Sequence, residues 1–172
     1  TLLLRPDTAI EGWGLVIVNL PGHAHGQIGV LTPDDVLFTA DSVISERILN
    51  KYGIPFTADY CSAMETFDML DSFKADYFVP SHGDICEDIV PVTDANRRCL
   101  NALRDEILEI CSEPSTRDGI VGKLAQRHGL DMNLSQYVLI QSTVAALLSP
   151  LIDSGEILCS FSEGTLSLKS RS

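Results

Sequence analysis

The spacing of apolar residues changes once along this chain, near residue 90, and that change limits what each part can fold into. Before it, the apolar residues come in short β-branched runs: "GLVIVNL" (14–20), "IGVLT" (28–32), "VLFTA" (36–40) and "YFVP" (77–80). Such runs are strand-length and end at Pro, Gly or Asp. "PDD" between the second and third predicts a hairpin. One helical period interrupts them, with Met64, Phe67, Leu70 and Phe73 spaced along 60–74. After residue 90 the period is helical. Cys99, Leu103, Ile107 and Ile110 make one stripe over 95–111, with Asp94 as the expected N-cap. A second helix, 116–128, follows Ser115 and Asp118 in capping-box-like spacing and stops at Gly129. A third starts near Asn133, with Gln136 at the box position, and ends by Gly155; Pro150 is expected to kink or interrupt it. "EILCSF" and "TLSLK" then flank "SEG", a hairpin around Gly164. Three helices and a two-stranded hairpin follow the order of a winged helix. The expected boundary lies in "DIVPVTDA" (88–95), which gives two domains, 1–92 and 93–172.

Charge divides the chain in the same place. The net charge is −12; residues 1–94 hold 4 basic and 15 acidic side chains, and residues 95–172 hold 8 and 9. Neither part is basic, so generic binding to a phosphate backbone is not expected. The third helix, the one that would enter a groove, has no Lys or Arg between Asn133 and Gly155. Groove reading needs cations for phosphates and polar groups for bases. That helix is apolar nearly all round, which predicts burial on more than one side and an interaction or substrate-shaping unit rather than a nucleic-acid reader. No unbroken apolar run reaches the ~18 residues of a spanning helix, and no signal peptide is evident, so a cytoplasmic protein without a membrane role is expected. The five cysteines (61, 86, 99, 111, 159) form no C-x-x-C pair and read as free thiols in a reducing compartment.

The chemistry concentrates in three short motifs. "PGHAHG" (21–26), "LFTAD" (37–41) and "VPSHG" (79–83) each follow an apolar run and deliver His23, Asp41 and His82. Singly, a loop His is a solvated residue more often than a ligand, and a strand-terminal Asp is usually a cap. Together, at three strand ends, they would make a nitrogen/oxygen site suited to zinc, iron or manganese. His25 stands two residues beyond His23, as a supporting contact to a ligand or substrate or as an exposed loop residue. The fourth histidine, His128, falls at a helix C-terminus, where a cation suits the helix dipole. Cys61 and Cys86 read as small apolar fillers, and Asp84 and Asp88 as solvated or structural.

"LPGHAHGQIGVLTPDDVLFTADSV" and "FVPSHG" resemble the later motifs of the metallo-β-lactamase fold hydrolases, over residues 10–90 or about half the chain. The resemblance implies an α+β chain: the C-terminal half of an αββα metallo-β-lactamase sandwich, followed by the three-helix winged-helix-like domain. It implies that His23 serves one metal, His82 another, and Asp41 bridges both. Zinc is the expected metal, two per complete site, with iron or manganese as alternatives. Where the family more often has Gly before the bridging Asp, this chain has Ala40. The family's His-x-His-x-Asp-His motif has no match, and the chain starts at Thr1 rather than Met. It is therefore expected to be the C-terminal part of a longer hydrolase, inactive or nearly so alone and a weak metal binder. The complete site would hold a bridging hydroxide near neutral pH and turn it on an ester, thioester, amide or phosphoester of a small-molecule substrate. A half sandwich leaves an apolar sheet face, so homo-oligomerisation, as a dimer, or association with the N-terminal half is expected. The rival expectation is a non-catalytic winged-helix interaction or dimerisation module whose hydrolase half is degenerate or missing.

Overall fold

A computed structural model describes residues 9–10 and 13–171. Two compact units form. One takes the described residues through Lys51 together with Cys61–Arg97, and the other takes Tyr52–Tyr60 with Arg98 onward.

The first unit is built on a five-stranded sheet in the order β1 (Ala9–Ile10), β2 (Leu15–Asn19), β3 (Ile28–Leu31), β4 (Val36–Ile44), β5 (Tyr77–His82). The first four strands run antiparallel and β5 joins β4 in parallel. The β3–β4 hairpin expected around "PDD" is present, with Thr32 accepting from Asp35 N at 3.1 Å. Register places Val16, Leu31, Leu37 and Phe78 in one row and Ile17, Val30, Phe38 and Val79 in the row on the opposite face. The first row contains Leu37 and Phe78, both buried, each worth ~1.5–3 kcal/mol of burial. The second row is apolar too, yet Phe38 at its middle stays 46% exposed.

Between β4 and β5 come α1 (Glu46–Tyr52), which the apolar pattern did not predict, and α2 (Tyr60–Ser72), which it did. The buried residues of α2 are Ala63, Thr66, Phe67 and Leu70. Phe67 and Leu70 are as expected, while Met64 and Phe73 lie only half-buried. The next helix, α3, spans Val90–Ile110. It starts four residues before the expected cap at Asp94, with Asp88 Oδ1 accepting from Val90 N at 3.0 Å. Pro91 falls in the first turn, where a helix has no use for its missing N–H. Asp94 instead joins Asp68 and Asp71 around the Arg97 guanidinium, at 2.7–2.9 Å. Buried Asn96 donates to Ile44 O and accepts from Ile44 N, which pins the C-terminal end of β4.

The second unit holds the rest of α3, then α4 (Arg117–Arg127), α5 (Leu134–Asp153) and the β6–β7 hairpin (Ile157–Ser162, Thr165–Ser170). Thr116, not Ser115, caps α4, accepting from Gly119 N at 3.1 Å. Ser115 is taken by β7, exchanging both backbone hydrogen bonds with Leu168 at 2.8 and 2.9 Å. Past His128, Leu130 N reaches Ala125 O and Gly129 N reaches Gln126 O, the paired bonds of a Schellman stop. The Asn133–Gln136 capping box on α5 is formed as expected. The helix runs through Pro150 to Asp153; only one helical N–H is lost there, within the last turns. Its expected burial on several sides holds only from Ile140 onward. Leu134, Val138 and Leu139 in the first turns are 79%, 51% and 47% exposed. By length and composition α5 could cross a bilayer, but seven of its residues, Ile140 to Leu151, lie in this unit's core. Thr143 holds the 52–60 segment, donating to Pro55 O at 2.9 Å and accepting from Thr57 N at 3.1 Å. The hairpin turns at Glu163 and Gly164, both with positive φ, the two-residue geometry that matches strand twist.

Candidate functional site

His23, Asp41 and His82 come from three different segments of the first unit. His23 sits in the β2–β3 loop. That loop is closed at its base by Leu20 N donating to Gln27 O at 2.9 Å. It is also tied to α2, where Thr66 Oγ1 donates to Pro21 O at 2.6 Å. Gly22, with φ 133°, lets the loop lie directly on α2: a Cβ there would stand 2.5 Å from Ala63 Cα. His82 is the last residue of β5, and its carbonyl accepts from Ser45 N at 2.9 Å.

Asp41 was expected just after a strand and lies instead inside β4. The register explains how a strand can present it. Ala40 pairs with Pro80 and Ile44 with His82, so β4 places extra residues against β5 and bulges between Ala40 and Ile44. A bulge of this kind bends a strand and re-aims its side chains. Ala40 takes the left-handed conformation at its start, φ 51°. That gives a physical reason for glycine at this position: a Cβ there costs ~1–2 kcal/mol. Ala40→Gly is accordingly expected to stabilise the protein by ~0.5–1 kcal/mol, after the larger unfolded-state entropy of glycine is subtracted. The check is the denaturant midpoint, which should rise at unchanged slope.

The two carboxylate oxygens of Asp41 face different histidines. His82 Nε2 is 3.4 Å from Oδ1 and His23 Nε2 is 3.9 Å from Oδ2. Both are too long for strong hydrogen bonds. Two donors on one tetrahedral zinc, at ~2.0–2.2 Å each, stand about 3.4 Å apart, so the His82 pair matches a shared cation and the His23 pair is slightly wide. Asp41 Oδ1 is also shielded from solvent and accepts no hydrogen bond, a costly state for a carboxylate unless something positive completes it. Side-chain exposure rises from 24% at His23 through 36% at Asp41 to 59% at His82. Among the described residues no group of three or more His, Cys, Asp or Glu side chains is placed so that it could hold a metal ion. What the residues fit is two His–carboxylate pairs sharing one Asp.

His25, on the same loop, is exposed. His128 caps α4 in the second unit and pairs with Glu106 at 3.1 Å. All five cysteines are free. Cys86 exchanges backbone hydrogen bonds with Phe78, four residues back from the end of β5, and burial, then Asp88, push its thiol up. Burial followed by Glu106 pushes Cys99 up to about 11. Neither thiol has the lowered pKa of a nucleophile or a ready metal ligand. The glycines beside the histidines are expected to let the backbone turn sharply, and Gly22 does so against α2; the sequence reading missed Thr66 and Gln27, which hold the loop and the bulge. Each acts through a partner far along the chain, and no local pattern announces that.

No family model and no curated protein matches the sequence. Solved structures do match the fold. A beta-lactamase domain protein from Burkholderia ambifaria superposes with a TM-score of 0.78 at 18% identity, over 98% of this chain and 52% of that one. A metallo-beta-lactamase family protein from Thermus thermophilus gives 0.77 at 17%, over 98% and 54%. The chain thus spans about half the length of these proteins, and over that span it carries the metallo-β-lactamase fold.

Proposed function

We propose that this chain supplies part of a dinuclear metal hydrolase centre, with His23 serving one cation, His82 the other and Asp41 bridging them. The observation that carries the reading is the split carboxylate. One Asp offers each of its oxygens to a different imidazole, and the oxygen toward His82 is buried and unbonded. A bound zinc pair would supply Lewis acidity and water acidified to near neutrality. This chain's contribution is to hold the two imidazoles and the carboxylate on a bulged strand, a strand end and a tethered loop. The substrate class is an ester, thioester, amide or phosphoester of a small molecule. The second unit, read as a winged-helix-like module, would shape the substrate side or an assembly contact.

A zinc titration of the full chain, followed by competition with a chromophoric chelator, tests the metal assignment. Saturable binding that is lost in the His23→Ala, His82→Ala double variant supports it. Equal binding by that double variant sinks it. A second reading is favoured because, among the described residues, no three such side chains are placed to hold a metal ion: a non-catalytic interaction module with a degenerate or missing hydrolase half. Hydrolysis by the zinc-loaded chain that is lost in Asp41→Asn, however slow, supports the first reading, because the second allows none.

A further inference from the structure

The bulge that presents Asp41 leaves two consecutive backbone amides, Asp41 and Ser42, without register partners in β3 or β5. Such N–H groups need an acceptor. One side chain provides it for both. The end of the Gln27 side chain lies 2.7 Å from Asp41 N and 2.8 Å from Ser42 N, and the amide orientation that satisfies both N–H groups turns its oxygen toward them as their shared acceptor. The same residue closes the loop that carries His23: its carbonyl accepts from Leu20 N at 2.9 Å and its N–H donates to Ala24 O at 3.2 Å. We infer that Gln27 is a positioning residue that clamps the His23 loop to the Asp41 bulge and so sets the distance between the two candidate ligands.

The chemistry of the residue fits the task. Only an acceptor can satisfy two N–H groups, which excludes Lys and Arg. The reach also matters, because the side chain must span from the foot of one loop to the neighbouring strand. Asparagine, one methylene shorter, cannot make both bonds from the same backbone position.

Three variants of the full chain test the clamp. Gln27→Leu keeps the size and removes the acceptor, Gln27→Asn keeps the polarity and loses the reach, and Gln27→Glu keeps both. The first readout needs no metal: amide hydrogen exchange at Asp41 and Ser42. Exchange there is expected to rise about tenfold in Gln27→Leu and Gln27→Asn, with Gln27→Glu close to the parent. The second readout, zinc affinity, rests on the metal assignment proposed above. It is expected to fall on the order of 10–100-fold in Gln27→Leu and Gln27→Asn and to be largely kept in Gln27→Glu. A role in stability alone would not give this split between variants. If the parent chain binds no zinc, the metal assignment fails and the amide readout alone judges the clamp. Unchanged exchange at Asp41 and Ser42 in Gln27→Leu overturns it; if Gln27→Leu does not fold, the same result in Gln27→Asn does.

Discussion

Asp41→Asn is expected to weaken zinc binding by the full chain on the order of 100-fold or more, beyond the 10–100-fold typical of groups that only orient a ligand. The loss should exceed that of His23→Ala or His82→Ala alone. Each histidine faces one carboxylate oxygen, whereas Asp41 faces both histidines. Asparagine keeps the shape but removes the charge and turns one oxygen into an N–H donor, which cannot ligate. The fold should not suffer. Asp41 side-chain oxygens accept no hydrogen bond that holds the bulge; the clamp from Gln27 goes to the backbone. Relief of the buried, unbonded Oδ1 should even leave the metal-free protein slightly more stable. Chelator competition gives the affinity and a denaturant curve gives the stability. A zinc affinity within about twofold of the parent would remove Asp41 from the site.

The parts of this molecule that were legible in the sequence are those set by local rules. The β3–β4 hairpin, α2, the α5 capping box and the 163–164 turn follow from period, caps and turn residues within a few positions of one another. Each misplaced boundary has a competitor that claims the expected cap. Ser115 yields its capping role because Leu168, far along the chain, claims its backbone. Asp94 yields to Asp88 at the start of α3 because it is needed at Arg97. The site splits in the same way. That His23, Asp41 and His82 would converge could be read from their places at the ends of apolar runs. That Asp41 would stand within a strand could not, because a bulge exists only relative to the neighbour it fails to match. Ala40 is the one local trace of it, a residue held at positive φ where the sequence offered no glycine.

Gly22→Ala is expected to be the most destabilising single-methyl change in the first unit, at about 2–6 kcal/mol. Two costs combine. The backbone at φ 133° lies where only glycine sits without strain, worth ~1–3 kcal/mol. The new methyl would also meet Ala63 Cα at 2.5 Å, its Cβ at 2.7 Å and its N at 2.8 Å, an overpacking worth ~1–3 kcal/mol. Two of those three atoms are helix backbone and cannot rotate away. The thermal midpoint should fall by at least ~8 °C for a unit of this size. A double-mutant cycle apportions the loss. Ala63→Gly in the same chain removes the Cβ contact but leaves the Cα and N contacts and the strain, so it should recover less than half. Because Gly22 immediately precedes His23, any protein that survives by lifting the loop off α2 should also bind zinc more weakly, and strain and ligand geometry would then move together. A loss below ~1 kcal/mol would mean that the loop does not rest on α2, and with it would go the tether that brings His23 to within 3.9 Å of Asp41.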